Sequence, residues 1–188
     1  MVKGVTAIRL NLFREREPRS VTVELTDLLP LEKWAELENE IHARSGLESN
    51  VFNTDGIRIT HNKTWVNRLC PAIKATDKGQ SFICAVAHMN LANQARDEKK
   101  PVIDECDAGL MKIVVPIFVD GDFIGAIGAC GLLPAGGEVD AFLVNKMTDI
   151  DEERIEALCE DLAVIETNSA EEVAQFIWEK LETVVADV

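Results

Sequence analysis

Cys106–Pro134 reads CDAGLMKIVVPIFVDGDFIGAIGACGLLP, and this stretch decides the fold. Met111–Val119 is apolar and rich in β-branched residues, which suit a pleated, packed surface. Asp120-Gly121-Asp122 is a turn signal, because Asp and Gly tolerate the positive φ of tight hairpin loops. Phe123–Cys130 returns with glycines at 125 and 128, and a third follows at 131. Glycines in a strand mark a bulge or a close approach to the backbone. The stretch therefore predicts a central β-hairpin. A Cys-Asp-Ala-Gly turn opens it and Cys130 lies near its far end.

Upstream, Val102–Glu105 predicts a short strand leading into Cys106. Gln80–Lys99 carries Phe82, Ile83, Val86, Ala87, Leu91 and Ala95 at helical spacing, and Pro101 ends that helix. Cys84 and His88 are four apart and share a face that is not the most apolar one. Residues 61–76 read as a loop plus a short helix, with Pro71 breaking anything longer. Ser49–Asn53 and Ile57–Thr60 flank Thr54-Asp55-Gly56 as a second hairpin. Before it, Trp34, Leu37 and Ile41 form a helical stripe interrupted by the acidic Glu38, and Gly46 stops the helix. Residues 5–13 and 20–26 alternate apolar and polar, which predicts an N-terminal strand pair and an extension over 1–28. Past the hairpin, residues 132–140 form a loop. Helices follow over 141–148, 151–164 and 168–185. The last either packs on its own sheet or continues a dimer interface.

The expected fold class is α+β: one antiparallel sheet with helices packed on it, an N-terminal strand pair and C-terminal helices. PAS-like and GAF-like sensor domains share this order and enclose a small-molecule cavity between sheet and helices. The length of 188 residues suits a single domain with a full core. A net charge of −14 argues against direct nucleic-acid binding and against anionic membranes. No apolar run is long enough to span a bilayer, and the N-terminus lacks the continuous apolar core of a signal peptide. A cytoplasmic location is expected. The five cysteines are odd in number, so a disulfide framework is not expected in a reducing compartment.

With these residues in place, the chain resembles the PocR-type sensory domain, a variant PAS-like ligand-binding module of bacterial and archaeal signalling proteins. The resemblance begins at Leu29-Pro30-Leu31. It runs through Ser45-Gly46-Leu47, Thr54-Asp55-Gly56, Leu69-Cys70, Cys84 and Cys106-Asp107-Ala108-Gly109-Leu110. It closes on Pro116-Ile117, Asp120-Gly121, Ile124-Gly125 and Gly131, covering roughly residues 29–165. The order of three cysteines ending in Cys-x-Ala-Gly-Leu is its most specific part. The resemblance implies that a small ligand or cofactor is sensed and that the signal passes to an output protein or domain. The sensory domain would then be residues 29–188.

The candidate ligand site comprises Trp65, Cys70, Cys84, His88, Cys106, Asp107, Leu110 and Met111, with the hairpin glycines leaving room over the sheet. Ligand binding is expected to reorder the loop at 61–76 and shift the terminal helices. Thiolates bind soft or borderline metals, so Cys70, Cys84, His88 and Cys106 are also a candidate metal set, for zinc, an iron–sulfur cluster or non-covalent haem. A cysteine-dependent redox enzyme or thiol sensor on the same fold is a second reading. Cys84 with His88 suits it better than Cys106, which has Asp104, Glu105 and Asp107 beside it to raise its pKa. A structural interaction module is a third. No P-loop, Gly-x-Ser-x-Gly or His-Glu-x-x-His motif is present.

Overall fold

The computed structural model describes residues 23–186. Leu25–Leu28 is a single helical turn (α1), closed by reciprocal bonds between Glu24 and Asp27. The expected strand at 5–13 lies outside the described residues, as do residues 20–22 of the strand expected at 20–26. At the described end of the latter, Leu25 and Thr26 are helical because this capping box fixes them so. Pro30 then precedes α2 (Leu31–Ser45), and Gly46 ends it at φ +72°. α2 buries Trp34, Leu37 and Ile41 together with Glu38.

β1 (Glu48–Asn53) follows, and Asn53 Oδ1 holds its turn by accepting from the N–H groups of Asp55 (3.1 Å) and Ile57 (2.9 Å). The expected return strand at 57–60 shrinks to one bridge, Phe52 to Arg58. The chain leaves the sheet there to cross α2, where Asn62 Nδ2 donates to the Ala35 carbonyl (3.1 Å). Then come α3 (Leu69–Lys74), a π-helical segment (Gly79–Ala85) and α4 (Val86–Glu98). Phe82 and Val86, expected on the apolar stripe, are exposed, since the π turn re-phases the helix.

β2 (Val102–Glu105), β3 (Met111–Val119) and β4 (Asp122–Cys130) complete an antiparallel sheet of order β1-β4-β3-β2. Asp120 (φ +52°) and Gly121 (φ +91°) supply the two left-handed residues of the hairpin turn. Beyond it, β5 (Leu133–Pro134), α5 (Ala141–Thr148), α6 (Glu152–Cys159), β6 (Val164–Ile165) and α7 (Thr167–Ala186) end the described chain. The expected helix at 151–164 stops at Cys159, because Val164–Ile165 is drawn into a parallel pair with Leu133–Pro134.

Both faces of the sheet are covered. Val51, Ile113, Val115, Ile117 and Ile127 pack with α2 and α7 on one side. Val114 and Ala126 pack with Leu91 and Ala95 of α4 on the other. β3 therefore lacks the alternation of a half-exposed strand. A third cluster joins α3, the π segment, α5 and α6 through Leu69, Ile73, Ile83, Val144 and Ile155. Among the described residues no helix is long and apolar enough to cross a membrane.

Candidate functional site

A cavity of about 620 Å³ lies between the sheet and the layer of α3, the π segment and α4. Alternation along the strands selects its floor: Asn50 and Phe52 from β1, Gly128 and Cys130 from β4, and Lys112 from β3. Cys70, Pro71 and Lys74 of α3 form part of the roof, with Cys84 and His88 from the helix after it. Cys106 and Leu110 border it from the turn before β3, and His61, Lys63 and Trp65 stand at the rim. Trp65 is 41% exposed, with Lys74 Nζ 5.0 Å from its ring centroid.

Six of the eight candidate ligand residues therefore share one cavity: Trp65, Cys70, Cys84, His88, Cys106 and Leu110. Met111 does not. The pleat sends it to the opposite face, into the core under α2 and α7, because its neighbours Leu110 and Lys112 take the cavity side. Asp107 is exposed in the turn rather than on the cavity wall.

The turn is tightly built. Cys106 N–H donates to the Leu110 carbonyl (2.9 Å) and Gly109 N–H to the Cys106 carbonyl (2.7 Å). Gly109 has φ +75°, and a Cβ there would lie 2.3 Å from the Glu138 carbonyl oxygen. No other residue type meets both demands at this position. Opposite, Asn67 ties the loop before α3 to the end of β4. Its Oδ1 accepts from Cys70 N–H (2.7 Å), and its Nδ2 donates to the Gly131 carbonyl (2.6 Å).

His88 is buried with its ring centroid 3.8 Å from that of Phe52. Burial pushes its pKa down to about 3, and the Lys112 charge acts in the same direction. The imidazole is therefore neutral at physiological pH. A Cβ on Gly128 would lie 3.2 Å from Phe52 Cε2 and 3.4 Å from His88 Nδ1. The room expected over this glycine is filled by the two rings. Gly131 is likewise occupied, with Val66 Cγ2 2.6 Å from where its Cβ would stand.

Residues 27–187 match the family described as the sensory domain found in PocR. The chain belongs to the PocR sensory-domain family. No curated protein and no solved structure gives a match. The PocR match takes in the whole described sheet, the cavity and α7, so it extends past the stretch of about 29–165 that carries the sequence resemblance.

Within this PocR domain, Cys70, Cys84, Cys106 and Cys130 line the cavity, but the candidate metal set is not supported. Among the described residues no group of three or more His, Cys, Asp or Glu side chains is placed to hold a metal ion. The thiols come from separate elements, and burial raises the pKa of Cys70, Cys84 and Cys106. It pushes the Cys84 thiol up to about 11, with Lys74 opposing. It raises Cys70 and Cys106 as well, the latter against N–H donation from Ala108 and Leu110. Zinc, an iron–sulfur cluster or thiolate-ligated haem would require sulfurs at converging positions, their protons being displaced on binding.

Among the PocR-domain residues on this wall that were not singled out from the sequence are Asn50, Phe52, Arg58, Lys74 and Lys112. For Lys112 a signal existed, since it is the one charge in the nine-residue strand MKIVVPIFV. Glu38 gave the same kind of signal on α2. It is 2% exposed and accepts from Val51 N–H (2.8 Å) and from the Thr60 hydroxyl, which fastens the edge strand β1 to α2.

Proposed function

We propose that this PocR domain is a sensor that binds a small organic molecule in the cavity between the sheet and the α3–π–α4 layer. The occupant signals to an output protein or domain. The observation that carries this reading is the cavity itself. Its volume falls in the range of small-molecule sites, and its wall mixes apolar surface with a few convergent polar groups. Membership of a sensory family supplies the signalling half.

β3 is the wall shared by the two sides. Lys112 and Val114 face the cavity side, while Ile113 and Val115 pack in the core that holds α2 and α7. A ligand that displaces β3 therefore presses on α7, and the rim at 61–76 is the segment that must part to admit it. The protonated thiols weigh against the redox reading, because the thiolate is the reactive form.

Trp65 at the rim provides the assay. Straight-chain alcohols, amides and carboxylates of two to eight carbons, with benzoate and benzamide, are titrated against the full chain while tryptophan emission is followed. A Trp65→Phe control isolates the rim signal. The expected result is a saturable change for at least one compound, abolished by Cys84→Phe, which fills the cavity. No saturable change for any compound, or one untouched by Cys84→Phe, would reject the site.

A further inference from the structure

The charge of the cavity wall opposes that of the protein. The chain carries −14 overall, yet the wall contains Arg58, Lys63, Lys74 and Lys112 and no Asp or Glu. Lys63 is exposed at the rim, in water. Lys112 is different: it is 7% exposed, on a central strand, facing the cavity. Its Nζ has no hydrogen-bond or ion-pair partner among the described residues and stays open to the cavity, so the charge is partly desolvated and an anion there would pair it.

Among the described residues no carboxylate lies within ion-pairing distance of Lys112. Two could be expected there. Asp104 is opposite Lys112 in the register with β2, but it is exposed and its Oδ1 accepts from the Glu105 N–H (2.8 Å). Glu48 stands in the same cross-sheet row, beyond Cys130. It is held by Arg58 Nη2 (3.3 Å) and Lys74 Nζ (4.0 Å). One buried carboxylate thus serves two cations before Lys112 is counted.

A second group is also unsatisfied. Asn50 is 4% exposed and lines the same cavity. Its Oδ1 accepts from Arg58 Nη2, which fixes the amide orientation and leaves Nδ2 as a donor without a partner. We infer that the cavity takes a small organic acid, whose carboxylate lies on Lys112 and the Asn50 amide and whose hydrocarbon part runs along Phe52 and Leu110.

A carboxylate fits better than a phosphate. Arg58, the planar fork that would favour phosphate, already donates to the Asn62 carbonyl (2.8 Å), to Glu48 and to Asn50. Lys112 and one amide N–H match a single negative charge, and His88 is neutral and adds none. The apolar remainder of the wall, and a volume far above that of an inorganic ion, call for an organic body.

The inference rests on the sensor reading above, and one experiment separates the two. The full chain is titrated calorimetrically with acids of two to eight carbons and benzoate, with the matching amides, and with inorganic phosphate. The best acid is expected to bind about tenfold or more tighter than its amide. Lys112→Met should remove that advantage, weakening the acid far more than the amide. Asn50→Asp, which puts an oxygen where the donor was, gives the same readout if Lys112→Met does not fold.

Amides binding as tightly as acids, or acid binding unchanged by either substitution, would overturn the anion assignment with the cavity left standing. Phosphate binding as tightly as the best acid would overturn the carboxylate. If neither acid nor amide binds, both the assignment and the sensor reading fall.

Discussion

The neutral, buried His88 makes stability depend on pH in a way that can be isolated. Its pKa is near 6.5 in the unfolded chain and about 3 in the fold. As pH falls through 6.5 the unfolded chain takes up a proton that the folded chain refuses. Unfolding is thereby favoured, and the loss grows until the folded pKa is reached. The slope approaches about 1.4 kcal/mol per pH unit, so going from about pH 7.5 to about pH 5 costs about 2 kcal/mol through this one residue.

Lys112 is the charge that reinforces the shift, and Phe52 and Gly128 pack on the ring without titrating. Glu38 acts in the opposite sense. Burial raises its carboxyl, so the cost of ionising it appears as pH rises above its ordinary range. Comparison with His88→Phe cancels Glu38 and the surface carboxylates, because both proteins carry them. Urea unfolding of the two proteins over this pH range should show the difference between them moving by about 2 kcal/mol in the variant's favour toward acid. Parallel curves would refute the reasoning, since His88 would then titrate alike in folded and unfolded chains.

Glu38→Leu should cost about 2–3 kcal/mol in chemical denaturation, because Val51 N–H and the Thr60 hydroxyl lose their common acceptor. Glu38→Gln keeps an acceptor and should cost markedly less. Gly109→Ala should destabilise by at least about 2 kcal/mol, from its left-handed backbone and the clash with the Glu138 carbonyl. A thermal shift within error of wild type would contradict the turn geometry. Alkylation of Cys84 by iodoacetamide should be slow near neutral pH and still rising above pH 9, as expected for a thiol held near 11. A plateau at or below the ordinary thiol pKa would show that its burial is not sustained.

The hairpin was legible because its signals are local. Asp120-Gly121 demanded a left-handed turn, and the strands on either side had enough β-branched residues to be paired without ambiguity. Which face each residue took was not legible. With helices on both sides, β3 shows no alternation, so Met111 and Lys112 could not be assigned to opposite sides from the pattern. The cavity cysteines could be grouped by resemblance, but thiols so far apart in sequence carry no information on convergence, and among the described residues no three are placed to hold a metal ion. Asn50 and Phe52 escaped notice because polar and aromatic residues on an edge strand look ordinary. Their meaning depends on Arg58 and His88, which approach from other segments.

The π-helical segment has a consequence for how the helix is read. Buried positions from its start into α4 fall at Gly79, Ile83, Ala87, His88, Leu91, Ala92 and Ala95: two steps of four through the π segment, then the ordinary helical stripe of α4. In an uninterrupted α-helix each step of four overshoots a full turn by about 40°, so Gly79 and Ala95 would end about 160° apart. The wider turn at 79–85 takes up part of that drift. One rod can then meet Leu69 and Ile73 through Ile83, and lie along Val102 and Val114 through Leu91 and Ala95. Removing a single residue from 79–83 would restore the ordinary pitch and rotate the chain ahead of the deletion by about 100° relative to α4. Two consecutive steps of four ahead of an ordinary helical stripe are thus the mark by which such a segment can be sought in a sequence.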